Sequence, residues 1–160
     1  MNDKENFFML KYSLLILWLS ASSFFSPEII PKNIATPILH VVVSGINDKA
    51  GSVRVAIYDR AENFLQIKKY TYNKSLPAGN NTSLQFDFSI PNGDYAVTSY
   101  HDLNDDHHLD QNYLGVPTEP YALSNNVNVK WRRPTFYETK IAFNLPEQTV
   151  YLQLKKWKER

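Results

Sequence analysis

Two stretches of this chain alternate large apolar residues with polar or small ones, the first of them strictly, and that pattern limits what the chain can fold into. Leu84 to Ile90 sends Leu84, Phe86, Phe88 and Ile90 to one side and Gln85, Asp87 and Ser89 to the other. Ser52 to Tyr58 sets Val53, Val55 and Ile57 against Ser52, Arg54 and Ala56. Successive side chains of a strand point to opposite faces, so each stretch reads as a strand with one face in a core. No stretch keeps a helical period long enough to compete with this reading.

The remaining segments follow the same logic. Ile38 to Ile46 is β-branched and apolar, and the turn Asn47–Gly51 leads from it into Ser52–Tyr58, which predicts a hairpin. Arg60 to Leu65 suits a helical turn that brings Phe64 onto the sheet, with a third strand expected over Gln66–Tyr72 and a loop over Asn73–Asn81. Pro91-Asn92-Gly93 is a turn, because Pro presets φ and Asn-Gly tolerates positive φ, so Asp94–Tyr100 is expected to return along Leu84–Ile90. Tyr121–Lys130 reads as irregular, and Thr139–Leu145 with Thr149–Leu154 reads as a last hairpin around Pro146. The fold expected is all-β: a single antiparallel β-sandwich of about seven strands, immunoglobulin-like or prealbumin-like, over residues 38–154.

Ahead of it, residues 1–26 have a basic start (Lys4, Lys11), an apolar run from Tyr12 to Leu19 and a small-residue end. That is the layout of a signal peptide, and the run falls short of the about 20 apolar residues of a membrane span. Cleaved or kept as an N-terminal anchor, it places the chain outside the cytoplasm, in the periplasm or secreted, with membrane contact only through an uncleaved segment. Residues 27–37, punctuated by Pro27, Pro31 and Pro37, read as a linker, and residues 155–160 as a charged tail.

Composition excludes several functions. A formal net charge of +1 gives no basic footprint for nucleic acid. With 0 cysteines there is no disulfide, no thiolate chemistry and no Cys-based zinc site. No nucleophile elbow, H-E-x-x-H or phosphate loop is present, so the chain reads as non-enzymatic.

The stretch carrying chemistry is the loop after Tyr100. Asp102, Asn104, Asp106, His108 and Asp110 fall on every second residue. Set on an EF-hand-like calcium loop, Asp102, Asn104 and Asp106 take positions 1, 3 and 5, His108 offers its carbonyl at 7, and Asp110 takes 9. Position 12 is Tyr113 rather than a bidentate Glu, with Asp105 or Glu119 as replacement carboxylates. The cofactor expected is Ca²⁺, bound weakly. The competing readings are a solvated loop in which Asp and Asn cap turns, and a transition-metal site from His101, His107 and His108. Trp131, Phe136, Tyr137, Tyr113 and Tyr121 flank the loop as either core or a sugar-stacking platform.

The run Gly93-Asp94-Tyr95-Ala96-Val97, His101-Asp102-x-Asn104, Leu109-Asp110, Gly115-x-Pro117-x-Glu119 and Ser124-Asn125-Asn126 resembles a bacterial family of secreted domains, the domain of unknown function family 2141. The resemblance spans about Leu39 to Leu154. It implies a small immunoglobulin-like or transthyretin-like sandwich of the cell envelope and supplies no catalytic residue. The family's loop usually has Gly where this chain has His107, which counts against a tight turn there. The function expected is therefore a non-enzymatic envelope sandwich ordered by a calcium loop. The alternative is a module that binds a glycan or another envelope component through the loop and its aromatics. The oligomeric state is open.

Overall fold

A computed structural model of the protein describes residues 36–129 and 132–159. The signal segment 1–26, the linker up to residue 35 and Trp131 lie outside the described residues. Eight strands run in chain order: β1 (Ile38–Ser44), β2 (Ser52–Tyr58), β3 (Tyr72–Pro77), β4 (Ser83–Ser89), β5 (Gly93–Asp102), β6 (Tyr121–Leu123), β7 (Lys140–Phe143) and β8 (Glu147–Gln153). They build two sheets: three strands in the order β4-β1-β8, and five in which β3, β2 and β5 are neighbours and both β6 and β7 pair with β5. The all-β sandwich is as the alternation predicts, because β1, β2, β4 and β8 bury alternate residues, while β5, flanked by β2, β6 and β7, is buried along most of its length. Leu39, Val41 and Val43 of β1 and Phe86 and Phe88 of β4 face Val53, Val55 and Ile57 of β2 and Val97 of β5 in one core.

The three expected hairpins are corrected. β1 and β2, β4 and β5, and β7 and β8 are consecutive in sequence, yet each pair lies in different sheets. The connections cross the edge of the sandwich. Ile90 shows how: it follows β4, is 1% exposed and donates its N–H to the Pro37 carbonyl, so the chain passes over the end of the core. β1 then pairs antiparallel with β4 and parallel with β8, Ile38 lying opposite Glu147 and Ser44 opposite Gln153.

Two boundaries also move. The third strand starts at Tyr72 instead of Gln66, because Leu65 (φ 56°) and Lys68 (φ 60°) are left-handed and break the extended run. β3 lies at a sheet edge with most of its residues exposed, so its sequence carries no alternation. The expected helical turn is present at Ala61–Asn63, and Phe64 meets Tyr58 and Phe136 edge-on at 5.5 and 6.1 Å. A single-turn helix, α1 (Phe136–Thr139), starts with a capping box between Thr135 and Glu138.

The segment expected to be irregular after Tyr121 holds β6 and then does something specific. β6 pairs with Thr98–Tyr100 of β5, and β7 with Gly93–Ala96, which leaves Val97 between them. The Ser124 hydroxyl fills the gap: it accepts the Val97 N–H at 3.0 Å and donates to the Thr139 carbonyl at 2.5 Å. Asn125 and Asn126 hold positive φ (60° and 51°), and the Asn125 amide donates to the carbonyls of Glu138 and Lys140. Ser124 is 0% exposed, so its removal strands a buried N–H. Ser124→Ala is expected to lower the unfolding free energy by about 1–3 kcal/mol in urea titration, whereas Ser83→Ala on an exposed outer position should stay within about 0.5 kcal/mol.

Candidate functional site

β5 is the longest strand, and its last residue is Asp102. The pairing of β5 with β2 sets Ser52 against Asp102 and Arg54 against Tyr100, so Arg54 stands diagonally beside Asp102 on the outer face of the five-stranded sheet. The Arg54 Nε donates to Asp102 Oδ2 at 2.5 Å, and Asp102 is 0% exposed. An isolated carboxylate is not buried without a counter-charge, and here the guanidinium supplies it. The remaining capacity of Asp102 is spent on the loop: Oδ1 accepts the Asp106 N–H (3.1 Å) and Oδ2 the His107 N–H (3.0 Å). Gly51 packs beneath this point with φ 67°, and a Cβ there would lie 1.9 Å from the Asp102 carbonyl oxygen, so only glycine fits.

A second buried carboxylate holds the loop from the other side. Glu119, 3% exposed, accepts the Leu103 N–H at 2.7 Å and the Asp110 N–H at 3.0 Å. Burial pushes its pKa up, partly offset by those two backbone donors. Burial likewise raises the pKa of Tyr100. Asp102 and Glu119 thus bracket the segment between them by its own amides. His107 accommodates the turn despite not being glycine, at φ 73°, and its Nδ1 pairs with Arg54. The tight turn is kept with the strain of a left-handed His, and the side chain recovers a hydrogen bond.

Asn104 and Asp106 are exposed, and Asp110 is half-buried beside them. The Asn104 Nδ2 lies 3.3 Å from Asp106 Oδ2 and 3.2 Å from Asp110 Oδ2, so the three side chains meet at one exposed point. Asp106 Oδ1 also accepts the His108 N–H at 2.8 Å, and Asn104 Oδ1 the Asp106 N–H at 3.2 Å. The alternate residues singled out in the sequence therefore divide. Asp102 is internal and paired with Arg54; Asn104, Asp106 and Asp110 are gathered; His108 is exposed and contributes main chain. Of the two replacement carboxylates, Glu119 is bound to backbone, and Asp105 Oδ1 is 3.9 Å from Arg54. His101 is buried with Nε2 2.8 Å from the Ala50 carbonyl, apart from the outward-facing loop residues. Among the described residues no group of three or more His, Asp or Glu is arranged to hold a metal.

Beyond Asp110 the chain makes a small hairpin. Gln111 bridges Pro117, the Asn112 carboxamide oxygen accepts the N–H groups of Leu114 and Val116, and Gly115 turns the chain at φ 75°. Its tip presents Tyr113 and Leu114, 94% and 70% exposed. Of the other aromatics near the loop, Phe136 is buried with Tyr58, and Tyr137 is exposed.

Sequence reasoning missed Arg54, Gly51 and Asn112. Arg54 reads as an outward residue on an alternating strand, and only the β2–β5 register brings it to Asp102. Asp102→Ala, which strands Arg54 and two backbone N–H groups, is expected to cost about 3–5 kcal/mol in chemical denaturation. Asp105→Asn, at an exposed positive-φ position that Asn tolerates, should change stability by less than about 0.5 kcal/mol.

No curated protein and no solved structure matches the chain. A family model does match, over residues 41–151, from within β1 to within β8, and its description is an uncharacterised protein conserved in bacteria. The bracketed loop, the Ser124 splice and all strands but the ends of β1 and β8 fall inside that span, and the chain belongs to this family, DUF2141.

Proposed function

We propose that the chain is a non-enzymatic β-sandwich domain of the bacterial cell envelope and that Asn104, Asp106 and Asp110 take up Ca²⁺. One observation supports this reading above the others: two carboxylates and a carboxamide meet at a single exposed point, on a backbone already fixed by Asp102 and Glu119. Hard oxygen donors on alternate residues suit Ca²⁺, and turning the Asn104 amide over would offer its oxygen as a third donor in exchange for the hydrogen bond it accepts from the Asp106 N–H. The His108 carbonyl and water complete the expected set. Asp102 serves this site by ordering the loop, since Arg54 already balances its charge. Two carboxylates on an open loop favour weak binding, about 10⁻⁴ to 10⁻³ M, which matches calcium levels outside cells. The basic and apolar N-terminal segment supports the same location. The non-enzymatic reading rests on the loop carboxylates: Asp102 and Glu119 have their oxygens occupied by N–H donors, and neither is placed to serve as an acid or base.

The second reading, a module that holds a glycan or another envelope component, draws on the hairpin tip, where Tyr113 and Leu114 are exposed on a turn stiffened by Asn112. Thermal unfolding of the chain in EDTA, Ca²⁺, Mg²⁺ and Zn²⁺ separates the two. Ca²⁺ at ten times its Kd should stabilise the fold by about 1.4 kcal/mol. Asp106→Ala and Asp110→Ala should lose that response, and Asp87→Ala on the outer face of β4 should keep it. A response that survives both loop substitutions, or no response to any ion, refutes the calcium reading; glycan binding lost in Tyr113→Ala would then establish the other.

A further inference from the structure

The edges of the two sheets are not treated alike. An exposed strand edge invites pairing with another chain, and proteins blunt it with lysine, proline, short strands or a covering group. β3 carries Lys74 and ends at Pro77, and Lys74 also covers β4 by donating to the Asp87 carbonyl and lying 5.1 Å from the Phe88 ring centroid. β6 and β7 are short, with carbonyls of β7 capped by Asn125 and Gln148. β8 has none of these devices: Glu147–Gln153 is seven residues long and contains no Lys, Arg or Pro.

The direction of its hydrogen bonds follows from one contact. Leu154 donates its N–H to Ser44 of β1, so by the alternation of a strand Leu152, Val150 and Gln148 also turn their main-chain groups toward β1. Glu147, Thr149, Tyr151 and Gln153 then aim theirs outward, where they have no partner among the described residues, and all four are exposed. We infer that two copies of this chain pair through β8, antiparallel, about a twofold axis at Val150. In that register Thr149 faces Tyr151 of the partner subunit and Glu147 faces Gln153 of the partner subunit. All four outward residues then find hydrogen-bond partners, a β-branched side chain meets an aromatic one, and no like charges oppose. The pairing joins two three-stranded sheets into one of six.

The chain has 0 cysteines, so introduced thiols report the register directly. Full-length Thr149→Cys and Tyr151→Cys variants are mixed and oxidised. Facing residues lie about 5.5 Å apart, within disulfide reach. Thr149 and its own symmetry copy lie about 8 Å apart, beyond it. A disulfide dimer from the mixture and not from either variant alone is expected; no dimer, or equal dimer from one variant alone, overturns the inference. Amide hydrogen exchange on the wild-type chain tests it without substitution. Exchange at Thr149 and Tyr151 should slow by roughly tenfold or more as concentration rises from micromolar to millimolar. Exchange there that does not depend on concentration also overturns it.

Discussion

The structure around the loop depends on one buried ion pair. Asp102 closes β5 with 0% exposure, and Arg54 meets it from β2 at 2.5 Å. Removing Arg54 would leave the Asp102 charge without water or counter-charge, which a protein interior tolerates poorly. Because the same carboxylate also accepts the N–H groups of Asp106 and His107, the pair joins sheet register to loop shape. A slip of β2 against β5 would not merely misplace a surface contact; it would release the turn. Gly51 belongs to the same arrangement, since any side chain there would push into the Asp102 main chain.

An acidic run in a sequence suggests a single set of ligands, yet here the carboxylates divide by depth. The deep ones, Asp102 and Glu119, act as acceptors for backbone amides and behave as internal scaffolding. The shallow ones, Asp106 and Asp110, are held close to each other by Asn104. Like charges approach at a cost, and the amide donor between them lowers it. The loop's shape is held by these backbone hydrogen bonds, and the ion proposed for it would replace one donor between the carboxylates.

Much of the fold was legible because inward alternation survives in β1, β2 and β4. Its connectivity was not, and the reason is geometric. Both sheets of a sandwich face one core, so a strand that returns in its own sheet and one that crosses to the other bury the same residues. Pro91-Asn92-Gly93 reads as a turn, but Asn92 and Gly93 keep negative φ, and the bend carries the chain from one sheet to the other instead of joining neighbours. Edge strands were the hardest to see: β3 buries too little to show a period, and β6 is only three residues long. For the site, the alternate spacing found the loop and its gathered residues, while Arg54 came from a register no local pattern records. Ser124-Asn125-Asn126 stood out as a motif, and its role as a splice between β6 and β7 emerged only in three dimensions.

The parallel pairing of β1 with β8 ties the start of the described fold to its end, Ile38 against Glu147. β1 is the middle strand of its sheet, so that sheet has no centre without the first segment and no third member without the last. Contacts this distant along the chain are slow to form and act late. A chain emerging end-first from a ribosome or a membrane pore would therefore hold its smaller sheet incomplete until residue 153 arrives. Folding would wait for delivery of the whole domain, and a nascent chain would stay extended enough to be threaded.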